Sequence, residues 1–107
     1  MTAMTIPDLV AERREAIADL CRRARVRRLD LFGSAVRADF DPARSDLDFV
    51  VVFDELAPVE LADAFFTLKE GLESIFGRPV DLVVERVIRN PYFRARLDWE
   101  RWAVHAG

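Results

Sequence analysis

Apolar residues recur at helical spacing through Leu9, Val10, Ile17, Leu20, Cys21 and Ala24. The cap-like Thr5-Ile6-Pro7 precedes them, so the pattern predicts a helix near residues 7–25. Residues 27–33 read as a short strand, and residues 47–53, with the run Phe49-Val50-Val51-Val52-Phe53, as a longer and more buried one. Asp54-Glu55 ends that strand. Pro58 opens a helix whose stripe is Leu61, Phe65, Leu68, Leu72 and Ile75, with Gly77 as its stop. Pro79 to Glu85 predicts a third strand. Asn90-Pro91 then caps a last helix carrying Phe93, Leu97, Trp99 and Trp102, the two tryptophans on one helical face. The order is α-β-β-α-β-α: an α/β (α+β) fold, a small mixed β-sheet with helices packed on one face. No repeat or linker interrupts it, and residues 1–107 read as a single domain.

Composition narrows the function classes. The net charge is −3, from 16 basic and 19 acidic residues, which weighs against a direct nucleic-acid partner. Of the basic residues only Lys69 is lysine, and the run from Arg22 to Arg28 reads as a solvated helix end. The apolar runs are too short to span a membrane and no charged-then-apolar leader is present, so the expectation is a cytoplasmic protein. The one cysteine, Cys21, excludes an internal disulfide and falls among core positions of the first helix. His105 is expected to fray in solvent.

The chemistry-bearing stretch is Leu31-Phe32-Gly33-Ser34 followed, after a loop, by Asp46-Leu47-Asp48-Phe49. Strand side chains alternate, so Asp46 and Asp48 project together while Leu47 and Phe49 face the core. Asp81 breaks into the apolar third strand in the same way. If the second and third strands are neighbours, three carboxylates converge at one end of the sheet, an oxygen donor set suited to Mg²⁺. Gly33-Ser34 supplies the complementary half, a turn whose backbone N–H groups and hydroxyl receive phosphate. Each feature alone has a plainer reading: Gly-Ser is a common turn, Asp46 finishes a loop, and Asp81 guards an edge strand. Asp48, inside a strand between apolar neighbours, resists that treatment, and the ordered combination argues for a site.

That combination resembles the pattern of the nucleotidyltransferase superfamily that includes DNA polymerase beta: apolar-Gly-Ser, a spacer, then Asp-apolar-Asp-apolar. In length and element order the chain is similar to the minimal nucleotidyltransferase (MNT) antitoxins encoded beside HEPN-domain ribonuclease toxins, and Asp81 matches their third carboxylate. The spacer Ala35–Ser45 is one residue longer than usual, and Ala38 stands where glycine often follows the arginine matching Arg37. The resemblance implies transfer of AMP from ATP to a hydroxyl, a tyrosine of the HEPN toxin, as in a type VII-like toxin–antitoxin pair. Asp46, Asp48 and Asp81 would hold two Mg²⁺ ions, while Gly33, Ser34 and Arg37, and more weakly Arg44, would bind the nucleotide phosphates. With nearly all of the chain spent on a catalytic core, acceptor recognition falls to the docked toxin itself. Two alternatives are a non-catalytic antitoxin that neutralises by binding and the catalytic subunit of a small-molecule nucleotidyltransferase. The aromatics around Trp99 either cap the core or form an interface patch.

Overall fold

The computed structural model describes residues 6–33, 36 and 46–106. The elements are α1 (Ile6–Glu12), α2 (Arg14–Arg23), β1 (Val26–Phe32), β2 (Leu47–Phe53), α3 (Pro58–Phe76), β3 (Val80–Val84), a short 3₁₀ turn (Glu85–Val87), α4 (Pro91–Glu100) and β4 (Trp102–Ala106). The four strands form one mixed sheet in the order β3-β2-β1-β4. β1 runs antiparallel to both β2 and β4, whereas β2 and β3 are parallel. A parallel pair requires a crossover, and α3 provides it.

The strand alternation divides the interior in two. Leu29, Leu31, Leu47, Phe49 and Val51 point to one face, where they join Ile17, Leu20 and Cys21 of α2 and Leu68 and Leu72 of α3. Gly71 lets α3 approach α2 closely: a Cβ there would stand 2.4 Å from a methyl carbon of Leu20. Burial pushes the Cys21 thiol up to about 12, as befits a small core residue. Phe32 and Val50 point to the opposite face and pack with Leu97 of α4.

Three features depart from the reading of the sequence. The first helix is broken at Arg13, whose φ of −101° and ψ of 15° leave the helical range. Its N–H is shared between the Leu9 and Val10 carbonyls, so the hydrogen bonding continues across the bend. The helices cover both faces of the sheet, not one, because α4 returns over Phe32 and Val50. Finally, the last helix stops at Glu100, and Trp102 opens a fourth strand along β1. Trp99 and Trp102 therefore share no helical face. Trp99 is 90% exposed, so it does not cap the core, and His105 lies opposite Leu29 in the sheet.

The turn from α4 into β4 is fixed by charge. Asp30, in the middle of β1, has no exposed surface. Its Oδ2 accepts from Arg101 Nε at 2.8 Å and pairs with Arg28 Nε at 2.8 Å. Arg101 also donates to Glu85 Oε1 at 2.5 Å and pairs with Asp98 at 3.4 Å. Burial disfavours the Arg101 cation, but its hydrogen bonds to Glu85 and Asp30 outweigh that cost and raise its pKa. Burial likewise pushes Glu85 up, and the hydrogen bonds and charges of Arg101 and Arg94 more than reverse it, leaving its pKa below the ordinary value.

Removing Arg101 would leave the buried Asp30 with only the half-exposed Arg28 as a cationic partner. Arg101→Ala should cost about 3 kcal/mol in urea unfolding, the scale of a broken buried pair. Arg94→Ala, whose pairs lie nearer solvent, should cost about 1 kcal/mol or less. An equal loss from both would show that the buried cluster has no special weight.

The Glu85 carboxyl titrates lower in the folded than in the unfolded chain, so the unfolded state takes up its proton first as pH falls. Its stabilisation is complete above the ordinary carboxylate value of 4.5 and fades as pH drops through the lower folded value. Glu85→Gln should therefore destabilise the protein at pH 7 and narrow its gap to wild type in acid. A gap that stays constant with pH would contradict this assignment.

Candidate active site

β1 ends at Phe32, and Gly33 turns the chain out of the sheet with a φ of 75°, a left-handed conformation suited to glycine. Its carbonyl accepts the Val36 N–H at 3.1 Å. A second constraint acts on the same residue: a Cβ on Gly33 would lie 2.5 Å from Asp48 Oδ2. Gly33 thus makes room for a carboxylate of the neighbouring strand.

Asp48 stands opposite Phe32 in the antiparallel pair and opposite Asp81 in the parallel pair. Neighbouring strands run about 4.8 Å apart, so Asp48 and Asp81 are adjacent on one face of the sheet. Asp48 is half-buried and Asp81 exposed. The starts of β2 and β3 are tied together, since Leu47 N–H donates to the Pro79 carbonyl at 3.2 Å. Glu73 of α3 secures β3 from behind, accepting from Val80 N–H at 3.1 Å and from Lys69 Nζ at 3.2 Å. The Val80 hydrogen bond, followed by that of Lys69, holds the Glu73 carboxyl below its usual pKa.

Asp48 and Asp81 open onto a cavity of about 410 Å³ between the sheet and α4. Phe32, Leu82, Val83, Phe93 and Leu97 form its apolar part, with Phe93 edge-on to Phe32 at 5.8 Å. Arg96 and Glu100 of α4 complete the wall. Asp46 is exposed one residue before β2 and does not line the cavity, so two of the three expected carboxylates meet there. Among the described residues no three carboxylate, imidazole or thiol groups could hold a metal together. Two carboxylates still suit Mg²⁺, which commonly takes one or two from protein and fills its shell with water and substrate phosphate. Ser34, Arg37 and Arg44 lie outside the described residues.

A left-handed glycine turn at the end of one strand, facing carboxylates on the next two, is a place to bring a phosphate and a divalent ion together. Comparison with known proteins carries this further. The family model described as nucleotidyltransferase domain matches residues 13–100. The chain belongs to the nucleotidyltransferase family.

A protein of Methanocaldococcus jannaschii called "Putative protein adenylyltransferase MJ1379" is 30% identical over 97 residues, covering 91% of this chain and 92% of its own. A solved structure described as a "putative minimal nucleotidyltransferase" is 33% identical with a TM-score of 0.73, covering 95% of this chain and 98% of that one. More distant in sequence, the fold also matches a toxin–antitoxin structure with AMP-PNP, at 23% identity and a TM-score of 0.63, over 88% of this chain and 73% of that one. A complex of a tri-AMPylated Shewanella oneidensis HEPN toxin with its MNT antitoxin matches at 22% identity and a TM-score of 0.59, over 92% and 73% of the respective chains. The resemblance read from Phe32-Gly33-Ser34, Asp46-Leu47-Asp48-Phe49 and Asp81 therefore holds at the level of family and fold.

In this nucleotidyltransferase the sequence reading missed the α4 side of the site. Glu100 comes from the far end of the chain, 67 residues from Gly33, and its Oε2 accepts the Gly33 N–H at 3.3 Å. Arg96, one turn earlier, donates from Nε to Glu100 Oε1 at 3.1 Å. No local motif announces either residue.

Gly33→Ala should be destabilising by about 1–2 kcal/mol from the left-handed backbone alone, and by more through collision with Asp48. Gly77, with a φ of 64° and nothing within 4 Å of an added Cβ, isolates the backbone contribution. Gly33→Ala should therefore cost more than Gly77→Ala in denaturant unfolding. Replacing Asp48 by alanine in the same chain should recover the excess, and additive costs would refute the contact.

Proposed function

We propose that this nucleotidyltransferase transfers AMP from ATP to a hydroxyl group of a HEPN ribonuclease toxin, most simply a tyrosine, and so inactivates it. The observation that carries the proposal is the register of Asp48 with Asp81 beside the left-handed turn at Gly33. The names of the relatives and the toxin complexes among the fold matches support the same reading. Mg²⁺ held by Asp48 and Asp81, with Asp46 nearby at the start of β2, would neutralise the leaving pyrophosphate and activate the acceptor oxygen. The Gly33 N–H and Ser34, with Arg37, bind the β- and γ-phosphates. Asp81, exposed on the edge strand, is open to a docked protein and takes the proton of the acceptor hydroxyl. Phe32, Phe93 and Leu97 shield the reacting phosphate from water.

Among the described residues no helix is long and apolar enough to cross a membrane. In this reading the protein would meet its toxin in the cytoplasm. A second reading draws on α4, where Tyr92 and Trp99 are 85% and 90% exposed: the protein inhibits its partner by covering it.

One experiment separates the two. Toxin treated with the protein and Mg²⁺-ATP should gain mass in AMP increments and stay inactive after separation. Asp48→Ala should lower that transfer by at least about a hundredfold, an effect of more than roughly 2.7 kcal/mol on the barrier. A toxin that regains activity on separation, unmodified, would favour the steric reading. Full protection of cells by an Asp46→Ala, Asp48→Ala protein would overturn the covalent one.

A further inference from the structure

Glu100 is oddly placed for a carboxylate. It is the last residue of α4, where the aligned peptide dipoles present partial negative charge, and the last turn holds no basic residue. It also stands in the wall of a cavity already bordered by Asp48 and Asp81, yet its side chain is only 12% exposed. Its contacts include the Gly33 N–H at 3.3 Å and Arg96 Nε at 3.1 Å.

Those two partners are the groups an incoming anion needs. The Gly33 N–H is the backbone donor of the phosphate turn, and Arg96 is the one basic side chain lining the cavity among the described residues. A carboxylate resembles a phosphate in presenting anionic oxygens to an N–H and a guanidinium. A triphosphate and Glu100 cannot use the same donor, and their negative charges repel at that distance.

We infer that Glu100 is an internal stand-in for phosphate. It holds the Gly33 amide and Arg96 while no nucleotide is bound, and a triphosphate takes over both partners on entry as Glu100 turns out of the cavity. Arg96 is thereby a phosphate-binding residue, and Glu100 sets how much anionic charge a ligand must bring. This inference rests on the triphosphate reading of the site and deepens it.

Calorimetry with Mg²⁺-ATP, and with Mg²⁺-tripolyphosphate as a probe lacking the nucleoside, tests the exchange. Glu100→Gln keeps the side-chain length and an acceptor oxygen but removes the charge. It should bind both probes roughly tenfold tighter, the factor carried by one charge-assisted hydrogen bond. Arg96→Ala should weaken both, and Glu100→Gln combined with Arg96→Ala should lose the gain. In the unaltered protein, the Gly33 amide and Arg96 Nε resonances should shift together as tripolyphosphate is added. If wild type binds Mg²⁺-ATP but Glu100→Gln binds it equally or less well, the inference falls while the nucleotidyltransferase reading stands. Resonances of Gly33 and Arg96 that stay fixed at saturation overturn it in the same way. If neither wild type nor Glu100→Gln binds either probe, both readings fall.

Discussion

A carboxylate with no access to water, Asp30, faces the guanidinium that joins α4 to β4, and the shape of the active site follows from that pairing. Arg101 is the single residue between the two elements. By reaching Asp30 on β1, Glu85 beyond β3 and Asp98 on α4, it fixes where the last helix lies on the sheet. The helix then brings Phe93, Arg96, Leu97 and Glu100 over Asp48 and Asp81. A buried ion pair is a poor source of net stability compared with apolar packing, but it tolerates little displacement, because a shifted partner leaves a charge stranded. Geometry is what it contributes here.

The strands β1, β2 and β3 and the long helix α3 were legible in the sequence for ordinary reasons. Val and Phe runs bounded by Gly77, Pro58 and Pro79 give period and punctuation together, and the Asn90 cap is realised by its acceptance of the Tyr92 and Phe93 N–H groups. β4 was hidden. It follows α4 after one residue, and Trp99 and Trp102 happen to repeat at helical spacing. Its existence depends on a partner, β1, more than seventy residues away, which no local window contains. The position of α4 on the opposite face was hidden for the same reason, since a single buried leucine gives it almost no amphipathic signal.

The site divides along the same line. Gly33, Asp48 and Asp81 could be found because each interrupts a local pattern: a turn residue at a strand end, and carboxylates within apolar runs. That signal is necessary but not decisive. Asp30, between Leu29 and Leu31, interrupts its strand in the same manner, and its role is to anchor Arg101. Register separates the two aspartates, for Asp48 lies at the open end of the sheet beside Gly33 and Asp30 lies at its middle. Glu100 and Arg96 interrupt nothing, being ordinary charged residues on a helix, and only tertiary placement gives them meaning.

The two unequal apolar clusters also give the molecule an internal hierarchy of stability. One side of the sheet is sealed by α2 and α3 with a large set of buried residues, whereas the other rests on Phe32, Val50 and Leu97. Lifting α4 alone uncovers less apolar surface than parting α2 and α3 from the sheet. β4, by contrast, stays with the sheet, paired with β1 and packed through Val104 on the larger cluster. The amides of α4 should accordingly exchange with solvent sooner than those of β2, which lies between the two clusters. The same excursion would remove the α4 wall of the cavity. Access to the site is therefore tied to the more lightly packed side of the sheet.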